Sequence, residues 1–254
     1  MKIIVAIKQV PERDSPARIA GTWIEETDLQ FTINELDAYA LEEALRLKDK
    51  HGCEVVVVSV GPDRVGMTLH ESLAKGADRA IHVVCHDLAS RDALGVAGLL
   101  AAAIEPEMPG LVFTGLQSED LGLGQTGVIL AELLQVPYTT LTLQVNFTGT
   151  GIQVKRELEG GLLQMVELPS PAVLTIQSGG NKLRYATLMG IRRAKSKEVR
   201  MIAATDLGVT SVSVVRLEEI VQPRRQRATI ILPGTAQEAT TALVEKLKFE
   251  ARVI

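Results

Sequence analysis

The chain has 254 residues, 46% of them hydrophobic and 23% charged, which suits a globular fold and leaves no apolar stretch approaching membrane-spanning length. A formal net charge of −4 gives no electrostatic case for nucleic acid, and two cysteines, Cys53 and Cys85, make neither a disulfide framework nor a zinc pattern. Aromatic residues are only 3%, so the core has to be aliphatic, as in a parallel sheet buried on both faces. The opening MKIIVAIKQV has no long apolar segment, and the expectation is a cytoplasmic protein without an integral membrane segment.

Ile3 to Ile7 is a continuous apolar run, the signal of a central strand, and Pro11 ends it by removing a donor and fixing φ. Residues 12–33 are irregular, with short extended pieces at Thr22–Ile24 and Leu29–Thr32. Asn34 is a good N-cap with Asp37 three residues on; Leu36, Tyr39, Ala40, Glu43, Ala44 and Leu47 form one mostly apolar stripe, so a helix runs from there to Gly52. Glu54–Val60 is a second strand whose four consecutive valines need cover on both sides. Gly61-Pro62 turns the chain into a helix at Arg64–Ala74, stopped by Gly76. Ala80–Val84 is a third strand. Arg91–Ile104 is an Ala- and Leu-rich helix closed by Pro106 and Pro109. Leu111–Phe113 is a fourth strand, ended by Gly115, and a helix follows at Val128–Leu134. Four strand–helix alternations predict an α/β fold with a doubly wound, mostly parallel sheet.

Beyond Pro137 the pattern changes. Thr139–Val145, Gln153–Glu157, Leu162–Glu167 and Ala172–Ile176 are strand-like and separated by Gly and Pro turns, which predicts hairpins extending the sheet. Apolar Leu183, Tyr185, Leu188 and Met189 then sit between Gly179-Gly180 and a cationic run. Val212–Leu217 reads as a strand, Pro223–Arg227 as a basic linker and Ala236–Lys248 as a terminal helix. From about residue 195 the chain shows few signs of a core of its own. The expected division is 1–195, an α/β domain (nucleotide-binding, by its strand-end loops), and 196–254, a C-terminal arm held by a partner.

The stretch Leu111–Leu130 carries the chemistry. Strand, glycine-bearing loop and helix start leave backbone N–H groups unpaired at the positive end of a helix dipole, a setting that favours phosphate or pyrophosphate. Thr126 adds a hydroxyl. An ordinary strand-to-helix connection has the same pattern. Ligands of doubly wound sheets bind at the carboxyl ends of strands, which joins Ala6–Val10, Val60–Pro62 and Gly115–Gly127 into one candidate site.

Val154-Lys155-Arg156-Glu157-Leu158-Glu159-Gly160-Gly161, leading to Leu168-Pro169-Ser170-Pro171-Ala172-Val173-Leu174-Thr175, is similar to the signature of electron-transfer flavoprotein beta subunits. Arg184-Tyr185-Ala186-Thr187-Leu188, Gly76-Ala77-Asp78-Arg79 and Gln125-Thr126-Gly127 match too, and the resemblance covers nearly the whole chain. It implies a Rossmann-like domain, similar to the adenine-nucleotide alpha-hydrolases, in a heterodimer whose alpha subunit carries the redox FAD while the beta subunit buries AMP. By position the nucleotide-binding residues would be Ala6, Asn34, Glu35, Leu36, Asp37 and Val60, together with Leu116, Gln117, Ser118, Glu119, Asp120, Leu121, Gly122, Leu123, Gly124, Gln125, Thr126 and Gly127. Backbone groups at Ala6 and Val60 would meet the adenine, Asn34 and Asp37 would approach the nucleotide, and N–H groups at Gln125–Gly127 would hold the phosphate.

The family's docking loop falls on Gly180–Lys197, with Leu188 as the apolar anchor, beside Tyr185 and Met189, for acyl-CoA dehydrogenase-type flavoproteins. Glu157 matches an acid that contacts the mobile FAD domain. The bland alternatives are a Leu188 packed into its own domain and a solvated Glu157. The implied function is electron carriage without turnover of a substrate. Glu35 in place of a common proline, the apolar Leu121 and Leu123, and the Lys8-Gln9-Val10-Pro11 start leave a second reading open, an electron-bifurcating subunit with a second FAD in place of AMP. A third is a stand-alone adenine-nucleotide-binding regulator of universal-stress-protein type. His82, Cys85 and His86 read as surface residues, not metal ligands. Ser178-Gly179-Gly180 lacks the continuation of a pyrophosphate loop. Arg192, Arg193, Lys195, Lys197 and Arg200 form a solvated or partner-facing rim without stacking aromatics.

Overall fold

The computed structural model describes residues 1–149, 151–209, 213–222 and 229–254, and the chain divides into two units, Met1–Glu219 and Ile220–Ile254. The first opens with β1 (Lys2–Ala6), then β2 (Gln9–Pro11), β3 (Ile19–Ala20), β4 (Trp23–Ile24) and β5 (Phe31–Ile33); β2 pairs with β5 and β3 with β4. Next come α1 (Glu35–His51), β6 (Glu54–Gly61), α2 (Gly66–Lys75), β7 (Arg79–Val84), α3 (Ala93–Ile104), β8 (Leu111–Gly115) and α4 (Thr126–Leu133). They are followed by β9 (Tyr138–Phe147), β10 (Ile152–Glu157), β11 (Leu163–Leu168), β12 (Ala172–Ile176), α5 (Leu188–Ala194) and β13 (Val199–Ala203). Nine strands form one sheet in the order β11-β10-β9-β12-β8-β1-β6-β7-β13. Within this sheet, among the described residues, only the β9–β10 and β10–β11 pairs are antiparallel. The predicted doubly wound, mostly parallel α/β fold is the fold the chain adopts.

Alternation along each strand sorts the core into two layers. Ile3, Val5, Val55 and Val57 pack with Leu41 and Leu45 of α1 and Leu69 and Leu73 of α2. Ile4, Val56, Val58 and Val112 pack with Leu99 and Ile104 of α3 and Leu130 of α4. The valine run of β6 is thus divided between the layers and wholly buried. Each such side chain contributes about 1.5–3 kcal/mol of transfer free energy, so a mostly aliphatic core, with Phe113 as its largest fully buried side chain, suffices.

Several expectations change. The chain does not simply add hairpins after Pro137: β12 turns back and inserts, parallel, between β8 and β9, which is why all five of its residues are buried. β13 is unforeseen, because its exposed Arg200 and Met201 break the apolar run by which a strand is recognised. It pairs with β7 from Val199↔Ala80 to Ala203↔Val84, so the first unit runs to Glu219 and does not stop at residue 195. Residues 213–217, expected in a strand, form none. The Asp92 carboxylate takes the N–H groups of Val214 (2.7 Å) and Val215 (3.0 Å), donors that a strand would spend on a neighbour. Val212 and Pro223–Arg227 lie outside the described residues. The buried face of α1 is wider than its apolar stripe and includes Asp37, Glu42 and Glu43, while Leu36 and Tyr39 are only half-buried. The second unit carries α6 (Ala236–Glu245), started by a reciprocal capping box of Thr235 and Glu238.

Candidate functional site

β1 lies where the strand order reverses, with β6 and β7 on one side and β8 and β12 on the other. Doubly wound sheets open a crevice at that point, beyond the carboxyl ends of the strands. Here β1 and β8 pair only from Ile3↔Leu111 to Val5↔Phe113, and then part. Asp37, in the first turn of α1, stands in the gap. Its Oδ1 accepts the Gly115 N–H and its Oδ2 the Lys8 N–H, both at 2.8 Å. One carboxylate therefore supplies acceptors to both diverging edges. Burial pushes the Asp37 carboxyl up to about 7, against the pull of the Lys8 and Gly115 N–H groups, the Asn34 side chain and the Lys8 charge. Gly115 has no room for a side chain, since a Cβ would fall 2.8 Å from the Asp37 nitrogen and the Leu36 carbonyl carbon.

Asn34 takes the cap position of α1, yet its side chain makes no cap bond. It turns to the loop after β8, where Nδ2 donates to the Gln117 carbonyl and Oδ1 accepts the Glu119 N–H, each at 3.0 Å. An amide carries both a donor and an acceptor, so it mimics a neighbouring backbone. Asn34 and Asp37 were expected to approach a nucleotide; the structure employs both as braces for the loops around the crevice.

Charge pairs hold the rest of the loop. Lys8 Nζ lies 2.6 Å from Asp120 Oδ2 and 3.4 Å from Ser118 Oγ, and Arg13 Nη2 lies 2.8 Å from Glu119 Oε1. Burial alone would raise the Asp120 carboxyl, but the Lys8 charge and hydrogen bonds hold it below the usual range. Gly122 and Gly124 both have φ 64, and Leu121 and Leu123 beside them are exposed. α4 then starts at Thr126, two residues earlier than expected. Among the described residues no acceptor pairs with the N–H groups of Gln125, Thr126, Gly127 or Val128. Gly127 lets α4 lie close on the sheet: a Cβ there would fall 2.5 Å from Thr114 Oγ1 and 2.6 Å from Thr175 Cγ2. The Thr175 hydroxyl oxygen is buried and has no hydrogen-bond partner among the described residues.

Ala6 and Val60 are both buried in the layer under α3 and α4, Glu35 is exposed, Leu36 lies half-buried beside Gly115, and Leu116 donates its N–H to Ile176. Arg13 is the site residue that sequence reasoning missed; Lys8 and Gly115 lie inside the candidate loops Ala6–Val10 and Gly115–Gly127, but their pairing with Asp37 and Asp120 was not foreseen. Lys8 and Asp120 are too far apart in the chain for any spacing rule, and only the glycine closing an apolar strand was a usable signal.

The candidate docking residues stand apart from the crevice. Tyr185, Leu188 and Met189 are 91%, 83% and 59% exposed, so Leu188 does not pack into its own domain. Thr187 starts α5 by accepting the Gly190 N–H at 3.0 Å. Glu157 ends β10, half-buried. His82 and Cys85 are not the surface residues expected: His82 is buried in β7 with its Nε2 3.0 Å from the Gly61 carbonyl oxygen, and Cys85 is buried just beyond the end of that strand.

Fold and site together define an α/β protein of the doubly wound class, with an open helix start at its crevice and an exposed apolar segment elsewhere. Comparison with known proteins narrows the class. Residues 21–207 match the family model described as Electron transfer flavoprotein domain. The chain is 39% identical to an electron transfer flavoprotein subunit beta of Methylophilus methylotrophus, over 96% of this chain and 97% of that one. It is 38% identical to the electron transfer flavoprotein subunit beta, mitochondrial, of Oryza sativa subsp. japonica, over all of both chains, and 36% identical to the electron transfer flavoprotein subunit beta of Homo sapiens, over 100% of this chain and 99% of that one. The chain belongs to the electron transfer flavoprotein family, among its beta subunits. Membership makes it an electron-transport subunit associated with flavin and implies an alpha-subunit partner. No helix among the described residues is long and apolar enough to cross a membrane.

Proposed function

We propose that this subunit carries electrons between acyl-CoA dehydrogenase-type flavoproteins and a downstream acceptor, within a heterodimer whose FAD is held mainly by the alpha subunit, and that it buries AMP in the β1–β8 crevice. The flavin, when bound, supplies the electron-accepting chemistry; this chain supplies a wall, a nucleotide seat and a docking segment. The observation that carries the reading is the exposure of Leu188, flanked by exposed Tyr185 and Met189 and followed by Arg192 and Arg193. An apolar side chain in a charged rim is the usual form of a small docking hot spot.

The residues at the crevice fit an adenine nucleotide. Open N–H groups at Gln125–Val128 and the unpaired Thr175 hydroxyl suit a phosphate, and the backbone near Ala6 and Val60 suits an adenine edge. Asn34 and Asp37 serve by holding the loops, and Glu157 faces the alpha subunit in this reading. The unit Ile220–Ile254, with Ile230, Ile231 and Phe249 exposed, is the arm that packs on the alpha subunit.

Denaturing the co-purified heterodimer and quantifying FAD and AMP by chromatography should give one of each. Two FAD and no AMP would assign the crevice to a second flavin, as in a bifurcating carrier, and neither nucleotide would overturn the site. Gly127→Asp is a poor probe, since the new Cβ would first meet Thr114 and Thr175. Leu188→Ala in the heterodimer is expected to weaken dehydrogenase docking at least about tenfold, read as the Michaelis constant for the flavoprotein, with flavin content unchanged. An unchanged constant would remove Leu188 from the docking surface.

A further inference from the structure

The docking segment is held at two points. On its N-terminal side, Leu183 packs on the core and Arg184 is gripped by α1. On its C-terminal side, Gly190 lies against the Ala74 carbonyl at the end of α2, Ala194 is buried, and Lys197 Nζ donates to the carbonyls of Leu73 and Ala77. Tyr185, Leu188 and Met189 project from the span between these anchors.

The N-terminal anchor is built on a buried charge whose hydrogen-bond partners, among the described residues, are all on Arg184. Glu42 is 6% exposed, on the buried side of α1. Its Oε2 accepts the Arg184 Nε (2.9 Å) and the Arg184 backbone N–H (3.1 Å), and its Oε1 accepts Nη2 (3.0 Å). Asp49, two turns further along α1, accepts Nη2 as well, at 2.9 Å. The neighbouring Glu43 ties down the same segment from its other side, with Oε2 accepting Asn181 Nδ2 at 3.1 Å and Oε1 accepting the Val145 N–H at 2.8 Å. A buried carboxylate is unfavourable unless it is paired and hydrogen-bonded, so two consecutive ones on a helix mark a constraint on what they hold. Between them they hold the base of the docking segment, Glu42 through Arg184 and Glu43 through Asn181, and Glu43 also holds β9 through the Val145 N–H.

We propose that Glu42 is a positioning residue for partner docking: by fixing Arg184 bidentately it presents Tyr185, Leu188 and Met189 in one arrangement before the partner arrives. Pre-ordering removes from binding the conformational entropy of fixing the segment. The inference rests on the docking function of Leu188 proposed above. Glu42 is buried, and it acts through Arg184.

The test uses the heterodimer purified with its flavin and an acyl-CoA dehydrogenase as electron donor. Glu42→Gln keeps the shape and removes the charge. It should raise the dehydrogenase's Michaelis constant for the flavoprotein about five- to tenfold while maximal rate and flavin content stay as they were. Amide hydrogen exchange at Arg184, whose N–H Glu42 accepts, should quicken more than tenfold, with α1 still protected. In a Leu188→Ala background the effect of Glu42→Gln on the Michaelis constant should vanish, because there is no anchor left to place. A purely structural role would lower thermal stability and leave the Michaelis constant alone, or would add to Leu188→Ala independently; either result overturns the inference while the docking reading stands. A silent Leu188→Ala overturns the docking reading and this inference with it.

Discussion

Gly180→Ala is expected to destabilise the subunit by about 3 kcal/mol or more, a large effect for a single added methyl. The Cβ would fall on the carbonyl group of Leu143 in β9, 2.7 Å from its carbon and 3.1 Å from its Cα. These are backbone atoms of a strand paired with β10 and β12, so no side-chain rotation relieves the overlap. The segment leaving β12 has to retreat, which pulls Asn181 from Glu43 and loads the Arg184–Glu42 pair. Gly179 is the internal control. Its φ is 88, and a Cβ there meets nothing within 4 Å, so alanine costs only the left-handed penalty of about 1–2 kcal/mol. Thermal unfolding of the heterodimer separates the two. Gly180→Ala should lower the midpoint by about 6–12 °C and Gly179→Ala by about half of that or less. Equal shifts would show that the glycine pair is needed for its turn and not for the approach to β9.

That pair also shows where sequence reading reaches its limit. Ser178-Gly179-Gly180 could be set aside as a phosphate loop from its neighbours alone, but nothing in the chain announces that Gly180 meets a carbonyl in β9. The sheet itself was readable because its evidence is local: valine runs, Gly and Pro stops, and regular alternation are properties of short windows. β13 was not, since it sits at the edge, exposes Arg200 and Met201, and gains its strand character from β7. The crevice divides in the same way. Its location followed from strand ends, and the open helix start at Gln125–Gly127 from a loop motif. The braces did not, because Asp37 to Lys8 and Gly115, Asn34 to Gln117 and Glu119, and Lys8 to Asp120 join residues that only the closed sheet brings together. Asn34 misled for a physical reason. The side chain that makes asparagine a good cap also suits it to bridge a neighbouring loop, and tertiary contact decides between the two uses.

Asp37 should have the second large effect, and a pH signature. Asp37→Ala leaves the Lys8 and Gly115 N–H groups without acceptors at the floor of the crevice, each worth about 1–3 kcal/mol, so a loss of about 3–5 kcal/mol is expected, with release of whatever nucleotide the crevice holds. Asp37→Asn separates charge from shape. In the folded chain the carboxyl titrates at about 7, against 3.8 for an ordinary aspartate. Between those values the folded protein keeps a proton that the unfolded chain has released. The group's contribution is therefore fullest at low pH and is lost as pH rises through 7. From pH 5 to pH 8 that loss comes to about 2–3 kcal/mol. The asparagine does not titrate, so over this window the parent should lose about that much stability relative to Asp37→Asn, whatever their offset at pH 5. Denaturant midpoints of the two heterodimers at pH 5, 6, 7 and 8 measure the difference directly. A difference that stays flat would mean that the two backbone N–H groups and Lys8 outweigh burial and keep Asp37 ionised throughout; one that grows as predicted would identify the brace between β1 and β8 as a group that takes up a proton near neutrality.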